Sequence, residues 1–147
     1  MAAAVDRFFA AEKFAMGNVR WRNKTHPDYV EAKLFIAVTG GGTEGAELIL
    51  TANRTFFPPK YGFALIFRKI RILALDVDPA RTHFNISTKS VVSETHWQWW
   101  PGMEARPDRR RLTHKEWLSE FLEAAKIEDA VRYKPPHGRD RQLELPL

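Results

Sequence analysis

Cysteine is absent from all 147 residues. That absence removes disulfides, thiolate nucleophiles and cysteine-ligated zinc or iron–sulfur centres together. Long apolar runs are also missing: the longest, Phe63 to Leu75, is interrupted by Arg68, Lys69 and Arg71 and falls short of a membrane span. Asp6, Arg7, Glu12 and Lys13 stand where a secretory signal would need an apolar stretch. A cytoplasmic protein with no membrane association is therefore expected. There is no H-E-x-x-H pattern and no internal repeat. The one glycine run, from Gly40 to Gly45, lacks the lysine and the strand-to-helix setting of a phosphate loop and reads as a hairpin tip.

What is present points to a folded domain. Hydrophobic residues at 44% and aromatics at 12% favour a packed core over disorder, and the length suits one such core. The net charge of +5 favours an anionic partner, with nucleic acid the leading class.

Ala2 to Met16 reads as an amphipathic helix stopped by Gly17-Asn18, which tolerate the left-handed conformation that ends helices. Val19 to Arg22 alternates as a short edge strand. Ala32 to Thr39 and Ala46 to Asn53 form a hairpin about the glycine run. Thr55 to Gly62 is a loop, because its paired prolines cannot donate ladder hydrogen bonds. Phe63 to Leu75 reads as one central strand, apolar on both faces. Near the C-terminus, Thr113 and Glu116 have the spacing of a capping box, followed by Trp117, Leu118, Phe121, Leu122 and Ala125 on one helical face. The expected architecture is α+β: a single antiparallel sheet of five to six strands covered by an N-terminal and a C-terminal helix. Residues 1–134 would form the domain and 135–147, rich in proline and charge, a flexible tail.

The chemistry concentrates between Thr82 and Trp100. Phe84 and Ile86 alternate with His83, Asn85 and Ser87, and Trp97 and Trp99 alternate with His96 and Gln98, the period of half-buried strands. Paired antiparallel, the two segments would set His83 against Gln98 or against His96. Either register leaves His83, Asn85, His96 and Gln98 on one face, because a two-residue shift preserves sidedness. Two imidazoles that titrate near neutral pH can serve as general base and acid in metal-free phosphodiester cleavage. Asn85 and Gln98 would orient them or bind a base edge. Arg68, Lys69 and Arg71, or the run Arg109, Arg110 and Arg111, would bind nucleic acid and stabilise the phosphorane charge. The same histidines with Asp76 or Asp78 could instead ligate a metal, but no compact ligand motif supports that, and no metal or other cofactor is expected. The plainest alternative leaves His83 and His96 as solvated strand residues.

The order Leu73-Ala74-Leu75-Asp76, His83-Phe84-Asn85, Thr95-His96-Trp97-Gln98 and the helix from Trp117 to Ile127 resembles small prokaryotic domains of toxin–antitoxin type, the TumE-like toxins and related families. The likeness covers about a third of the chain, and Gln98 stands where the pattern carries a second histidine. It implies a ribonuclease-like toxin acting on RNA and opposed by an antitoxin partner. Two alternatives remain open. One is a non-enzymatic binding protein or inhibitor, encoded by a mobile element or phage, docked on a nucleic-acid-processing complex through arginine and tryptophan. The other is an accessory subunit whose sheet edge pairs with a second copy as a homodimer.

Overall fold

The computed structural model describes residues 2–26, 28–41, 45–53, 60–78, 82–85, 90–93 and 95–136, of which 82–85 and 90–93 are described by their backbone alone. The elements run α1 (Ala2–Ala10), β1 (Lys13–Met16), β2 (Arg22–Asn23), β3 (Tyr29–Val38), β4 (Ala46–Asn53), β5 (Lys60–Phe67), β6 (Ile70–Val77), β7 (Thr82–Asn85), β8 (Ser90–Ser93), β9 (His96–Trp99), β10 (Ala105–Pro107) and α2 (His114–Ala124).

The α+β class is as expected, but the antiparallel sheet is larger than five to six strands. Among the described residues it has eight, in the order β1-β3-β4-β5-β6-β9-β10, with β2 also on β3. The excess comes from three segments. Lys13–Met16, read as the end of the first helix, lies as a strand along Phe35–Val38. Ala105–Pro107 adds a further short strand on β9. The run from Phe63 to Leu75 is not one strand but the two arms of a hairpin.

That hairpin turns on Arg68 and Lys69, whose φ angles are +51° and +65°. Positive φ at both central residues of a two-residue turn matches the right-handed twist of its strands, although it strains side-chain-bearing residues. Replacing Arg68-Lys69 by Asn-Gly should therefore raise stability by about 1–2 kcal/mol. Urea unfolding midpoints would show it, and an unchanged or lower midpoint would contradict it. Beyond the turn, Arg71 faces Ile66 and Leu73 faces Leu65, so Ile72 is an extra residue that bulges β6.

One face of the sheet is covered. Leu34, Ile36, Leu48, Leu50, Phe63, Leu65, Leu73, Leu75 and Trp97 are buried there with Val5 and Phe8 of α1 and Trp117, Leu118, Phe121 and Leu122 of α2. Aromatic pairs join the layers: Phe8 stacks on Phe67 at 4.3 Å and Trp97 on Phe121 at 5.9 Å between centroids. The capping box at α2 forms as the sequence implies, Glu116 N donating to Thr113 Oγ1 and Thr113 N to Glu116 Oε1. The α1 helix ends at Ala10 because the Lys13 ammonium turns back onto its last carbonyls, leaving residues 13–16 to fill the edge of β3.

Val19 is buried, but regular pairing in the expected 19–22 strand is confined to Arg22–Asn23. At the other end of the chain, Trp21 Nε1 donates to the Lys134 carbonyl and Pro136 is buried, while 137–147, most of the expected tail, lie outside the described residues. No helix among the described residues is long and apolar enough to cross a membrane.

Candidate functional site

The alternation in β9 divides as the sequence implies. Trp97 turns into the core, where its ring stacks on Phe121 and on Trp99, and Trp99 also meets Phe9 of α1. His96 and Gln98 therefore lie on the opposite, uncovered face.

The partners of β9 differ from those expected. His96 lies opposite Asp76 of β6, and Gln98 opposite Ala74. His83 lies opposite Val92 and Asn85 opposite Ser90, in a separate two-stranded ribbon. The pairing of the two histidine segments is thus corrected, and neither expected register forms. The reason is proximity along the chain: Ser90-Val91-Val92-Ser93 is a β-prone partner only a few residues away from β7, which leaves β9 to pair with the long strand β6. The side chains of His83 and Asn85 lie outside the described residues.

The base of that ribbon is fixed. Asp78 N donates to Thr95 Oγ1 at 3.0 Å, with Thr95 and Asp78 both buried, and Lys60 Nζ lies 3.4 Å from Asp78 Oδ2. This clamp lies one step beyond Asp76 and His96 and holds their strands in register. His96 Nε2 is 3.4 Å from Asp76 Oδ2, with the side chains 26% and 49% exposed. Two residues along β9, Gln98 Oε1 accepts from Arg71 Nη2 at 3.4 Å and Gln98 Nε2 donates to the Met103 carbonyl at 3.0 Å. The result is a strip of imidazole, carboxylate, amide and guanidinium on one sheet face.

Gly62 of β5 completes the strip by what it lacks. Gly62 pairs with Thr51 on one side and Asp76 on the other, and a Cβ there would collide with Thr51 Oγ1 and lie 3.7 Å from Asp76 Oδ1. The missing side chain lets the Thr51 hydroxyl lie over the Gly62 backbone, next to Asp76.

Of the expected nucleic-acid-binding residues, Arg68 and Lys69 occupy the β5–β6 turn, and Arg71 reaches the strip through Gln98. Arg109, Arg110 and Arg111 are exposed on the approach to α2. Arg110 serves the fold: its Nε and Nη2 donate to Asp108 at 3.1 and 2.8 Å, it pairs with Glu120, and it lies over the Trp117 ring. Those donors, with Trp97 Nε1 at 3.0 Å, hold the Asp108 carboxyl down to about 2.

The sequence marks Asp76 only as a candidate metal ligand. Its place beside a histidine twenty residues away becomes visible only once β9 is set on β6. Among the described residues no group of three histidine or carboxylate side chains is gathered as a metal site. Comparison with protein-family models, with curated proteins and with solved structures finds no match for this chain.

Proposed function

We propose that this chain is a nucleic-acid-directed protein that cleaves single-stranded RNA without a metal, a ribonuclease-like toxin component whose natural partner is an antitoxin. The observation that carries the reading is the partly exposed imidazole of His96 set against the Asp76 carboxylate, beside Arg71 and Gln98, on an uncovered sheet face. His96 takes the proton of a 2′-hydroxyl, and Asp76 orients the ring and balances the charge it gains. The 2′-oxygen attacks the adjacent phosphorus, the 5′-oxygen leaves and takes a proton from solvent water, and a 2′,3′-cyclic phosphate remains. Arg71 supplies positive charge to the crowded phosphorane, and Gln98 holds its guanidinium in place.

The test is cleavage of a labelled single-stranded RNA in the presence of a chelator. The wild type should release a cyclic-phosphate product, His96→Ala should lower the rate about a hundredfold or more, and a 2′-deoxy linkage should resist. Equal cleavage by wild type and His96→Ala, or none by either, overturns the reading.

A second reading, a non-enzymatic protein docked on a nucleic-acid-processing complex, is favoured by a different observation. Phe35, Met16 and Phe14 are 68%, 55% and 37% exposed, and Met16 lies directly opposite Phe35 on the uncovered face. An apolar group of that kind fits a protein interface. Stable association with a protein partner and no turnover of RNA would decide for it.

A further inference from the structure

The uncovered face carries a second polar feature. Between β1 and β2 the chain leaves the edge of β3 and returns to it, and there Asn18, Arg20, Arg22, Asn23, Glu31 and Lys33 line a pocket of about 390 Å³. Three cations meet one carboxylate. Arg110, in contrast, is committed to Asp108 and Glu120, whereas among the described residues no side-chain ion pair engages Arg20, Arg22 or Lys33. Uncommitted guanidinium and ammonium groups with two amides beside them make a site for phosphate oxygens.

The strand register relates this pocket to His96. Arg22 lies opposite Glu31, Glu31 opposite Thr51, Thr51 opposite Gly62, Gly62 opposite Asp76, and Asp76 opposite His96. One cross-strand row thus runs from the basic pocket to the imidazole. Five strand spacings set the ends about 24 Å apart, within reach of a strand a few nucleotides long. Phe35 is two residues along β3 from Lys33 on the same face, and its exposed ring can stack on a base. A charged groove with an adjacent aromatic ring favours a single-stranded nucleic acid over a small phosphate metabolite.

We infer that the Arg20, Arg22 and Lys33 pocket binds backbone phosphates of the same RNA strand whose scissile bond lies at His96, an inference that rests on the reading above. It sets the substrate class as a strand long enough to span both sites.

Fluorescence anisotropy with a labelled RNA of about 12 nucleotides, carrying 2′-deoxy linkages so that it is not cut, reads binding apart from cleavage. The full chain is compared with the triple variant Arg20→Gln, Arg22→Gln, Lys33→Gln. All three positions are exposed, and an unchanged melting temperature verifies the fold. The variant should bind at least tenfold more weakly at low salt, and its salt slope should fall by about 2, roughly 0.7 for each phosphate that is no longer neutralised. Its KM for long RNA should rise with kcat held, while a dinucleotide, too short to reach the pocket, should be cleaved at the wild-type rate. An unchanged Kd and salt slope overturn the inference, as does displacement of the RNA by polyglutamate as readily as by unlabelled RNA. Weakened binding with no cleavage of any RNA would retain the pocket and reject the ribonuclease reading. Cleavage with unchanged Kd would do the reverse.

Discussion

Phe121→Ala is expected to lower the unfolding free energy by about 3–5 kcal/mol, a large share of the roughly 5–15 kcal/mol that holds a domain of this size together. Phe121 is 0% exposed at the middle of α2. Its ring stacks on Trp97 of β9 at 5.9 Å and on Phe63 of β5 at 5.8 Å, so one side chain joins the helix to strands on both sides of β6. Truncation loses the transfer energy of the ring and leaves a cavity between planar neighbours that collapse poorly. Phe121→Leu, which keeps most of the volume, should cost less than half as much. Urea unfolding of the three proteins checks both values, and a loss below about 1 kcal/mol for the alanine variant would mean that α2 is not fastened where it lies. The effect extends to the candidate site. Trp97 is the inward neighbour of His96, so loosening its packing frees β9 to shift against β6, and the 3.4 Å approach of His96 to Asp76 should be lost before the domain unfolds.

What the sequence discloses follows from how local each signal is. The capping box and the apolar face of α2 need only interactions within one or two turns of helix, and both are legible. The alternation of His96 and Gln98 with Trp97 and Trp99 is legible for the same reason, since the pleat sets sidedness whatever the partner strand. The partner itself is not. Pairing of β9 with β6 joins residues about twenty positions apart across an intervening ribbon, and no residue in either strand encodes that choice locally. The β5–β6 turn is hidden by its composition: Arg68 and Lys69 adopt a geometry usually marked by asparagine and glycine, so the apolar run reads as continuous. The basic pocket escapes a linear reading because Arg20 and Arg22 lie in an edge segment and Lys33 in the next long strand, and only the register brings them together.

Stability should rise between about pH 8 and pH 10, opposite to the usual decline at alkaline pH, because of one lysine. Lys13 is 1% exposed, and its ammonium donates to the carbonyls of Phe8, Phe9 and Ala11 at 2.9, 3.0 and 2.6 Å, at the negative end of α1. Burial, with the nearby charge of Lys126, outweighs these bonds and pulls the group down from 10.5 to about 8. Below pH 8 both the folded and unfolded chains carry the proton, and the folded state bears the cost of a charge it disfavours. Between pH 8 and 10.5 the unfolded chain binds the extra proton, so stability climbs with pH by about 3 kcal/mol in all. Tyr133 acts in the opposite sense above that range. Burial pushes its phenol up to about 12, so the unfolded chain loses its proton first and stability falls from about pH 10 upward. Together the two groups place the maximum near pH 10. Urea midpoints at intervals from pH 7 to 11 would trace the curve, and Lys13→Met should flatten its rising limb while leaving the fall above pH 10. A wild-type midpoint that is level or falling from pH 8 to 10 would mean that the Lys13 ammonium keeps its proton in the interior, held by the three carbonyls more strongly than burial opposes it.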